Sequence, residues 1–177
     1  MRYLKGLEKQ ALGMRDLSNI PVPESGEKYH HFLYLLCEKL KPSFVVELGS
    51  YKGTSTKYMA FHSERVLSVD NHISTNTEYW LNQHPKFLNI THIQTDALLA
   101  EKYITKPIDI LFIDNLHTYD HTIAQYRMYK PYMKSGGLIV VDDITLDDEM
   151  KRFWSGVKEE KVELNSLHHA GFGVIGC

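Results

Sequence analysis

Short apolar, β-branched runs alternate along the chain with longer segments in which apolar residues recur at helical spacing. Five of the short runs predict buried strands, at residues 44–48, 65–69, 88–93, 108–113 and 137–141. Helical patterns occupy residues 28–40, 54–62, 77–83, 119–133 and 147–159. Two later runs, at 161–167 and 171–176, are too close together for an intervening helix and predict an antiparallel pair.

This order of elements predicts an α/β fold. Repeated strand–helix units favour a Rossmann-like, doubly wound, mostly parallel sheet with helices on both faces, here of seven strands with a C-terminal antiparallel hairpin. At about 150 residues per domain, the 177 residues make one domain. We expect residues 23–177 to form it. Residues 1–22 are expected to be a helical leader over the carboxyl edge of the sheet, and thus a candidate lid.

The composition argues against several classes of protein. There are 20 Lys and Arg against 22 Asp and Glu, which gives a net charge of −2. The chain therefore lacks the surplus of basic residues that is typical of nucleic-acid binders. The two cysteines, Cys37 and Cys177, supply neither a disulfide framework nor zinc-ligand spacing. No apolar run reaches about 18 residues and charges occur early, which argues against a membrane span and a signal peptide and predicts a cytoplasmic protein.

The loop after the first predicted strand has the composition of a ligand-binding turn. Gly49 and Gly53 allow a tight turn and close approach of a ligand, and small hydroxyl residues with free N–H groups begin the next helix. The spacing differs from both the dinucleotide fingerprint and the phosphate loop. Glu47 would repel a pyrophosphate but suits a ligand with a cationic amine.

Acidic residues also follow the second and third predicted strands. Asp70 lies 21 positions beyond Gly49, where an acid commonly binds ribose hydroxyls; the alternative is a helix-capping or surface residue. Asp96 precedes the small residue Ala97 and could accept an adenine amino group, with an N-cap role as the alternative.

Together these residues resemble a known enzyme class. Glu47-x-Gly49-x-x-x-Gly53, Asp70 and Asp96-Ala97 resemble the class I S-adenosylmethionine-dependent methyltransferases. The segment Val-Glu-Leu-Gly-Ser-Tyr-Lys-Gly-Thr-Ser-Thr is most similar to the methyltransferase-24 branch of small-molecule O-methyltransferases, and the likeness extends over roughly residues 20–177. The cofactor-binding residues that the resemblance implies are Glu47, Gly49, Ser50, Gly53, Thr54, Ser55, Asp70, Asn71, Asp96, Ala97 and Asp114.

Three carboxylates are expected at the ends of the fourth and fifth strands. Asp114, Asp142 and Asp143 would repel one another as anions unless a cation lay among them, and Mg²⁺ prefers such oxygen ligands. His117 could then take a proton from a hydroxyl. Alternatively, the acidic pair caps the next helix, Asp114 binds only a cofactor amine, and His117 is an ordinary loop residue.

The same segment strengthens the resemblance. Ile-Asp-x-x-His-x-Tyr followed by Gly-Gly-Leu-Ile-Val-Val-Asp-Asp is similar to the macrocin-type sugar O-methyltransferases. That likeness implies that Asp114, Asp142 and Asp143 hold Mg²⁺, with His117 as base and Asp114 also part of the catalytic machinery. Asn115 and Leu116 depart from the family pattern, which leaves the substrate open.

The leading hypothesis is an enzyme that transfers a methyl group from S-adenosylmethionine to a hydroxyl of a sugar or phenolic small molecule. The alternative is an inactive nucleoside-binding protein of the same fold. A third hypothesis is an enzyme that uses a nicotinamide cofactor, which Glu47 and the spacing of the glycines disfavour. We expect no nucleic-acid or membrane partner, and a homo-oligomer. The adjacent pairs His30-His31 and His168-His169 are interpreted as surface or partly buried residues.

Overall fold

The computed structural model describes residues 1–14, 27–72 and 85–177. Its strands are β1 (Val45–Leu48), β2 (Val66–Asp70), β3 (Ile90–Gln94), β4 (Ile108–Ile113), β5 (Met133–Asp142), β6 (Lys161–Glu163) and β7 (Phe172–Gly176). Its α-helices are α1 (Tyr3–Gly13), α2 (Lys28–Leu40), α3 (Thr54–Ala60), α4 (Tyr119–Tyr129) and α5 (Asp148–Gly156). Single 3₁₀ turns occur at Pro85–Phe87, Ala97–Leu99, Glu101–Tyr103 and Lys130–Tyr132. Within the described ranges, none of the helices has the length and apolar character needed to cross a membrane.

The strands form one seven-stranded sheet in the order β3-β2-β1-β4-β5-β7-β6. Strands β1 to β5 are parallel, whereas β7 lies antiparallel between β5 and β6. The α/β class and the C-terminal antiparallel hairpin predicted from the sequence are therefore confirmed. The strand order reverses between β1 and β4, and such a switch point opens a crevice at the carboxyl ends of the strands.

Two apolar layers cover the two faces of the sheet. Alternate residues of one strand enter different layers, so that Phe112 packs with α1, α2 and α3 while Ile113 packs with α4 and α5. Because parallel strands are buried on both faces, they consist of continuous apolar runs rather than alternating ones. This explains why the bounds predicted for β4 match those observed.

Several boundaries differ from the sequence prediction. Strand β5 begins at Met133 rather than 137, with a register irregularity where it pairs with β4. Strand β6 ends at Glu163 rather than 167, because the following residues turn. Helix α4 ends at Tyr129, since Pro131 cannot continue an α-helical hydrogen-bond ladder. The helix predicted at 77–83 lies outside the described residues.

The described part of the N-terminal leader packs on a face of the sheet. Leu4, Leu7 and Ala11 form the buried stripe of α1 and join the same core as α2. Lys5 donates a hydrogen bond to the carbonyl of Glu163 (2.5 Å). The apolar stripe of this part of the leader is thus used in the core, and the expected lid role of residues 1–22 stays a prediction. Residues 15–26, with the expected boundary at 22, lie outside the described ranges.

Candidate active site

Two cavities meet at the carboxyl edge of the sheet. The first, here called the β2-side cavity, has a volume of about 250 Å³ and lies against the ends of β1, β2 and β4. The second, the β5-side cavity, has a volume of about 390 Å³ and lies against the ends of β4 and β5, the start of α2 and the loop before β7. Gly49, Tyr51 and Asp114 line both. A ligand in one cavity would therefore face a ligand in the other across these three residues.

The loop between β1 and α3 passes close to the end of β4. Gly49 has φ +95°, and a Cβ there would lie 1.9 Å from the carbonyl oxygen of Asp114, so a larger residue does not fit. The Gly49 amide donates to the Val69 carbonyl (2.8 Å), which ties the loop to β2 as well. Gly53, at φ +73°, then begins α3. Gly49 thus shapes the wall between the cavities, whereas Gly53 begins α3 and lines neither cavity as these are formed by the described residues.

Asp70 anchors this loop. One carboxylate oxygen accepts hydrogen bonds from the backbone amides of Ser50 and Tyr51 (2.8 Å each), and the other accepts from His72 (2.9 Å). Burial alone would raise the pKa of Asp70, but the three amides outweigh it and lower the pKa. Asp70 is therefore a firm anion on the wall of the β2-side cavity.

The remaining residues expected to hold the nucleoside also line the β2-side cavity. They are Asn71, Asp96 and Ala97. Asp96 accepts a hydrogen bond from the Leu98 amide (2.7 Å), so it caps the 3₁₀ turn and lines the cavity at once. Ala97 is held by the Tyr129 hydroxyl, which donates to its carbonyl (2.6 Å).

Glu47 lies behind the loop, in the wall of neither cavity as these are formed by the described residues. Its side chain is fully buried and accepts hydrogen bonds from the hydroxyls of Ser55 (2.5 Å), Thr56 and Ser68 (2.8 Å). Burial raises the pKa of Glu47 to about 7, although these hydroxyls favour the ionised form. The Glu47 carboxylate has no exposed surface in this structure with which to make the expected contact with a ligand amine. Glu47 instead positions Ser55, which lines the β5-side cavity with Ser50 and Thr54.

Asp142 and Asp143 lie together at the end of β5, with His168. The His168 Nδ1 is 2.9 Å from Asp142 Oδ1 and 3.2 Å from Asp143 Oδ1. The Asp142 side chain is 3% exposed, and burial raises the pKa values of both acids. The hydrogen bond to Asp142 raises the pKa of His168, so this group of side chains retains a proton that compensates the buried negative charge.

His117 lies between Asp114 and Asp143. Its Nε2 is 3.6 Å from Asp114 Oδ1, and its Nδ1 is 3.3 Å from Asp143 Oδ2. Burial would lower the pKa of His117, but the two carboxylates outweigh it and raise the pKa. Of the three expected metal ligands, Asp142 and Asp143 form a group with His168, whereas Asp114 is not part of that group within the described residues. His117 stands between Asp143 and Asp114.

Sequence reasoning missed five residues of the β5-side cavity: Tyr29, His30, Tyr51, Lys52 and His168. The interpretation of His168 as surface or partly buried agrees with its 12% exposed side chain, but it gives no indication of the contact with the acidic pair. The predicted C-terminal hairpin could have indicated the position of His168. Strand β7 is antiparallel to β5 and pairs Phe172 with Asp142, so the residues before β7 must return to the carboxyl edge.

A family model described as a methyltransferase domain matches residues 46–144, more than half of the 177 residues. The chain belongs to this methyltransferase family. The match begins in β1 and ends just after the acidic pair of β5, so it contains the wall shared by the two cavities.

Sequence and structure relatives agree with this assignment. A rhamnosyl O-methyltransferase of Mycobacterium bovis (strain BCG / Pasteur 1173P2) is 28% identical over 126 residues, which cover 63% of this chain and 50% of that protein. This methyltransferase domain thus spans about half the length of the curated relatives it matches. A methyltransferase structure from Geobacter sulfurreducens has a TM-score of 0.72 at 17% identity, covering 99% of this chain and 89% of that one.

A further solved structure contains a bound ligand. The O-methyltransferase TomG from Streptomyces achromogenes, involved in tomaymycin synthesis, was solved in complex with S-adenosylmethionine. It has a TM-score of 0.67 at 16% identity and covers 98% of this chain and 88% of that one. At this identity the likeness is one of fold, and the fold is that of the methyltransferases.

Proposed function

We propose that this domain transfers a methyl group from S-adenosylmethionine in the β2-side cavity to a hydroxyl of a sugar or phenolic compound in the β5-side cavity. One observation carries the proposal: both cavities share Gly49, Tyr51 and Asp114, so a methyl donor and an acceptor can meet at this wall. The related rhamnosyl enzyme and the S-adenosylmethionine complex of TomG support the reaction class.

Three acids along the carboxyl edge would bind the cofactor. Asp70, an anion, would accept hydrogen bonds from the ribose hydroxyls, and Asp96 from the adenine amino group. The Asp114 carboxylate would pair with the amine of the methionine part, next to Gly49. These contacts would hold the sulfonium at the shared wall, and aligning the two reactants there supplies much of the rate enhancement in a displacement reaction.

The acidic pair fits a divalent cation. Asp143 Oδ1 is buried without a hydrogen-bond partner among the described residues, and burial raises the pKa values of Asp142 and Asp143. A bound cation would stabilise the ionised form of such buried carboxylates, and carboxylate oxygens are ligands that Mg²⁺ prefers. Asp142 and Asp143, with Asp114 on the same cavity wall, would hold the ion. When bound, it would lower the pKa of an acceptor hydroxyl.

His117 is the proposed general base, and it would take the proton that the acceptor hydroxyl loses. Its Nε2 lies 3.6 Å from Asp114 Oδ1 and its Nδ1 lies 3.3 Å from Asp143 Oδ2, beside two acids that line the β5-side cavity. The ring must be neutral to accept a proton, whereas the two carboxylates raise the pKa of His117 and favour its charged form. The base role therefore depends on compensation of the charge of these carboxylates by a cation.

Titration calorimetry and an activity assay test the proposal. We expect S-adenosylmethionine and S-adenosylhomocysteine to bind and NAD not to bind. We also expect EDTA to stop methyl transfer to hydroxyl acceptors while most of the cofactor affinity remains, because Asp70 and Asp96 lie at the ends of other strands. Cofactor binding without transfer to any of a panel of sugars and phenols would favour the inactive nucleoside-binding protein. Tight binding of NAD alone would overturn the proposal.

A further inference from the structure

We propose that His168, in the place given above to Asp114, completes the ligand set with Asp142 and Asp143, and that this site selects a first-row transition ion over Mg²⁺. This inference rests on the metal-assisted part of the proposed function. It adds a residue outside the matched segment 46–144 and changes the identity of the ion.

The spacing of the three ligand atoms fits one ion. The His168 Nδ1 lies 2.9 Å from Asp142 Oδ1 and 3.2 Å from Asp143 Oδ1, and one ligand atom from each residue lies within 4.8 Å of the others. Two atoms bound at right angles about 2.1 Å from one octahedral ion are about 3 Å apart. The observed separations therefore match those of neighbouring ligands on a shared ion.

The backbone around the three residues is clamped in place. The Thr145 amide donates to the Ala170 carbonyl (2.8 Å), which fixes the loop of His168 to the segment that follows Asp143. The Gly171 amide donates to the His168 carbonyl (3.1 Å) and closes the turn. A Cβ at Gly171, where φ is +87°, would lie 2.6 Å from Thr145 Oγ1. These contacts hold the imidazole beside the acidic pair before any ion binds.

Further features of the group point toward ligand binding. Asp143 has φ +59°, a left-handed conformation that is rare outside glycine and often occurs at functional sites. Apart from the ion pair with His168, its buried Oδ1 has no hydrogen-bond partner within the described part of the chain. The Tyr29 ring lies 5.2 Å from the His168 ring and restricts its orientation. Tyr29, Asp142, Asp143 and His168 all line the β5-side cavity.

The imidazole determines which ion is preferred. Mg²⁺ favours sites built of oxygen ligands alone, whereas imidazole nitrogen suits ions such as Co²⁺ and Zn²⁺. A site of two carboxylates and one imidazole should therefore bind Co²⁺ more tightly than Mg²⁺. The competing explanation is that His168 is only a counter-cation that donates a hydrogen bond to Asp142. The two roles predict opposite effects of its removal.

Calorimetric titration with Co²⁺ and with Mg²⁺ distinguishes the two roles without any activity measurement. If His168 is a ligand, the His168→Ala variant should bind Co²⁺ more than about tenfold more weakly than the wild type, and its Mg²⁺ affinity should fall far less. If His168 is only a counter-cation, it competes with the ion, and the His168→Ala variant should bind Co²⁺ as tightly as the wild type or more tightly. That result would overturn the proposal. The matched control is His169→Ala, an exposed neighbour, which should change neither affinity.

Two further measurements complete the experiment. The Co²⁺-loaded protein should show a strongly shifted imidazole N–H proton resonance that is lost in His168→Ala and kept in His169→Ala. His168→Gln retains a donor toward Asp142 without the imidazole and gives the same test if the alanine variant does not fold. If the wild type binds neither ion, this inference and the metal part of the proposed function both fail. A parallel titration with S-adenosylhomocysteine then shows whether the cofactor part stands.

Discussion

Gly49 and Asp114 approach so closely that a Cβ on residue 49 would lie 1.9 Å from the Asp114 carbonyl oxygen. The contact joins the loop after β1 to the end of β4, at the switch point where both cavities meet. Backbone from two strands therefore occupies the place where a side chain would otherwise separate donor from acceptor. Glycine is required there by space and by φ +95°.

Gly49→Ala should destabilise the fold by about 3 kcal/mol or more and abolish S-adenosylhomocysteine binding, because the loop must move away from β4. Urea denaturation and calorimetry measure the two effects. Gly6→Ala is the control. A Cβ at Gly6 in α1 meets nothing within 4 Å. Gly6→Ala should therefore leave the free energy of unfolding unchanged or raise it by about 0.5–1 kcal/mol. Equal stabilities of the two variants would contradict the steric argument.

Asp70→Ala should weaken S-adenosylhomocysteine binding by about 1–3 kcal/mol, because both the ribose contact and the anchor of the Ser50 and Tyr51 amides are lost. Asp70→Asn keeps one acceptor oxygen and should lose less. The control is Asp148→Ala, which removes an exposed carboxylate on α5 and should leave the affinity unchanged. Unchanged affinity in Asp70→Ala would remove the ribose assignment.

Glu47 should make the free energy of unfolding fall as the pH rises from about 4.5 to about 7. The folded state holds its proton up to a pKa of about 7, whereas the unfolded carboxyl releases it near the ordinary value of 4.5. Unfolding therefore releases a proton between these values, and rising pH favours the unfolded state by about 3 kcal/mol in total.

Glu47→Gln isolates this contribution from that of the other titrating groups, since the amide does not titrate. Urea denaturation at several pH values should show the stability of the wild type falling relative to the variant, and the difference should level off above about pH 7. Parallel stability curves for the two proteins would show that the buried carboxyl does not titrate in this range.

His117→Ala should lower kcat by about 10²–10⁴-fold with little change in S-adenosylhomocysteine affinity, because His117 lies among the carboxylates and outside the wall of the β2-side cavity. Steady-state kinetics with a hydroxyl acceptor and calorimetry separate the two effects. His169→Ala, on the exposed neighbour of His168, should retain wild-type turnover. Wild-type kcat in His117→Ala would leave alignment of the reactants as the only contribution of this region.

The sequence by itself determined the sheet and most of the acids at its edge. Apolar runs such as Ile108–Ile113 predict buried parallel strands, because both of their faces are covered. Carboxyl ends of parallel strands meet at one edge, so the residues after each run, among them Asp70, Asp96 and Asp142, were expected near one another.

Only the tertiary structure decided which side chains share a cavity. Glu47 follows the strand pattern, yet its burial beneath Ser55 depends on how α3 packs against β1 and β2. His168 lies 26 positions beyond Asp142, and the pairing of β7 with β5 brings it back to the acidic pair. Local pattern determines the face on which a residue lies, whereas contacts between distant segments depend on strand pairing and packing, which no local spacing encodes.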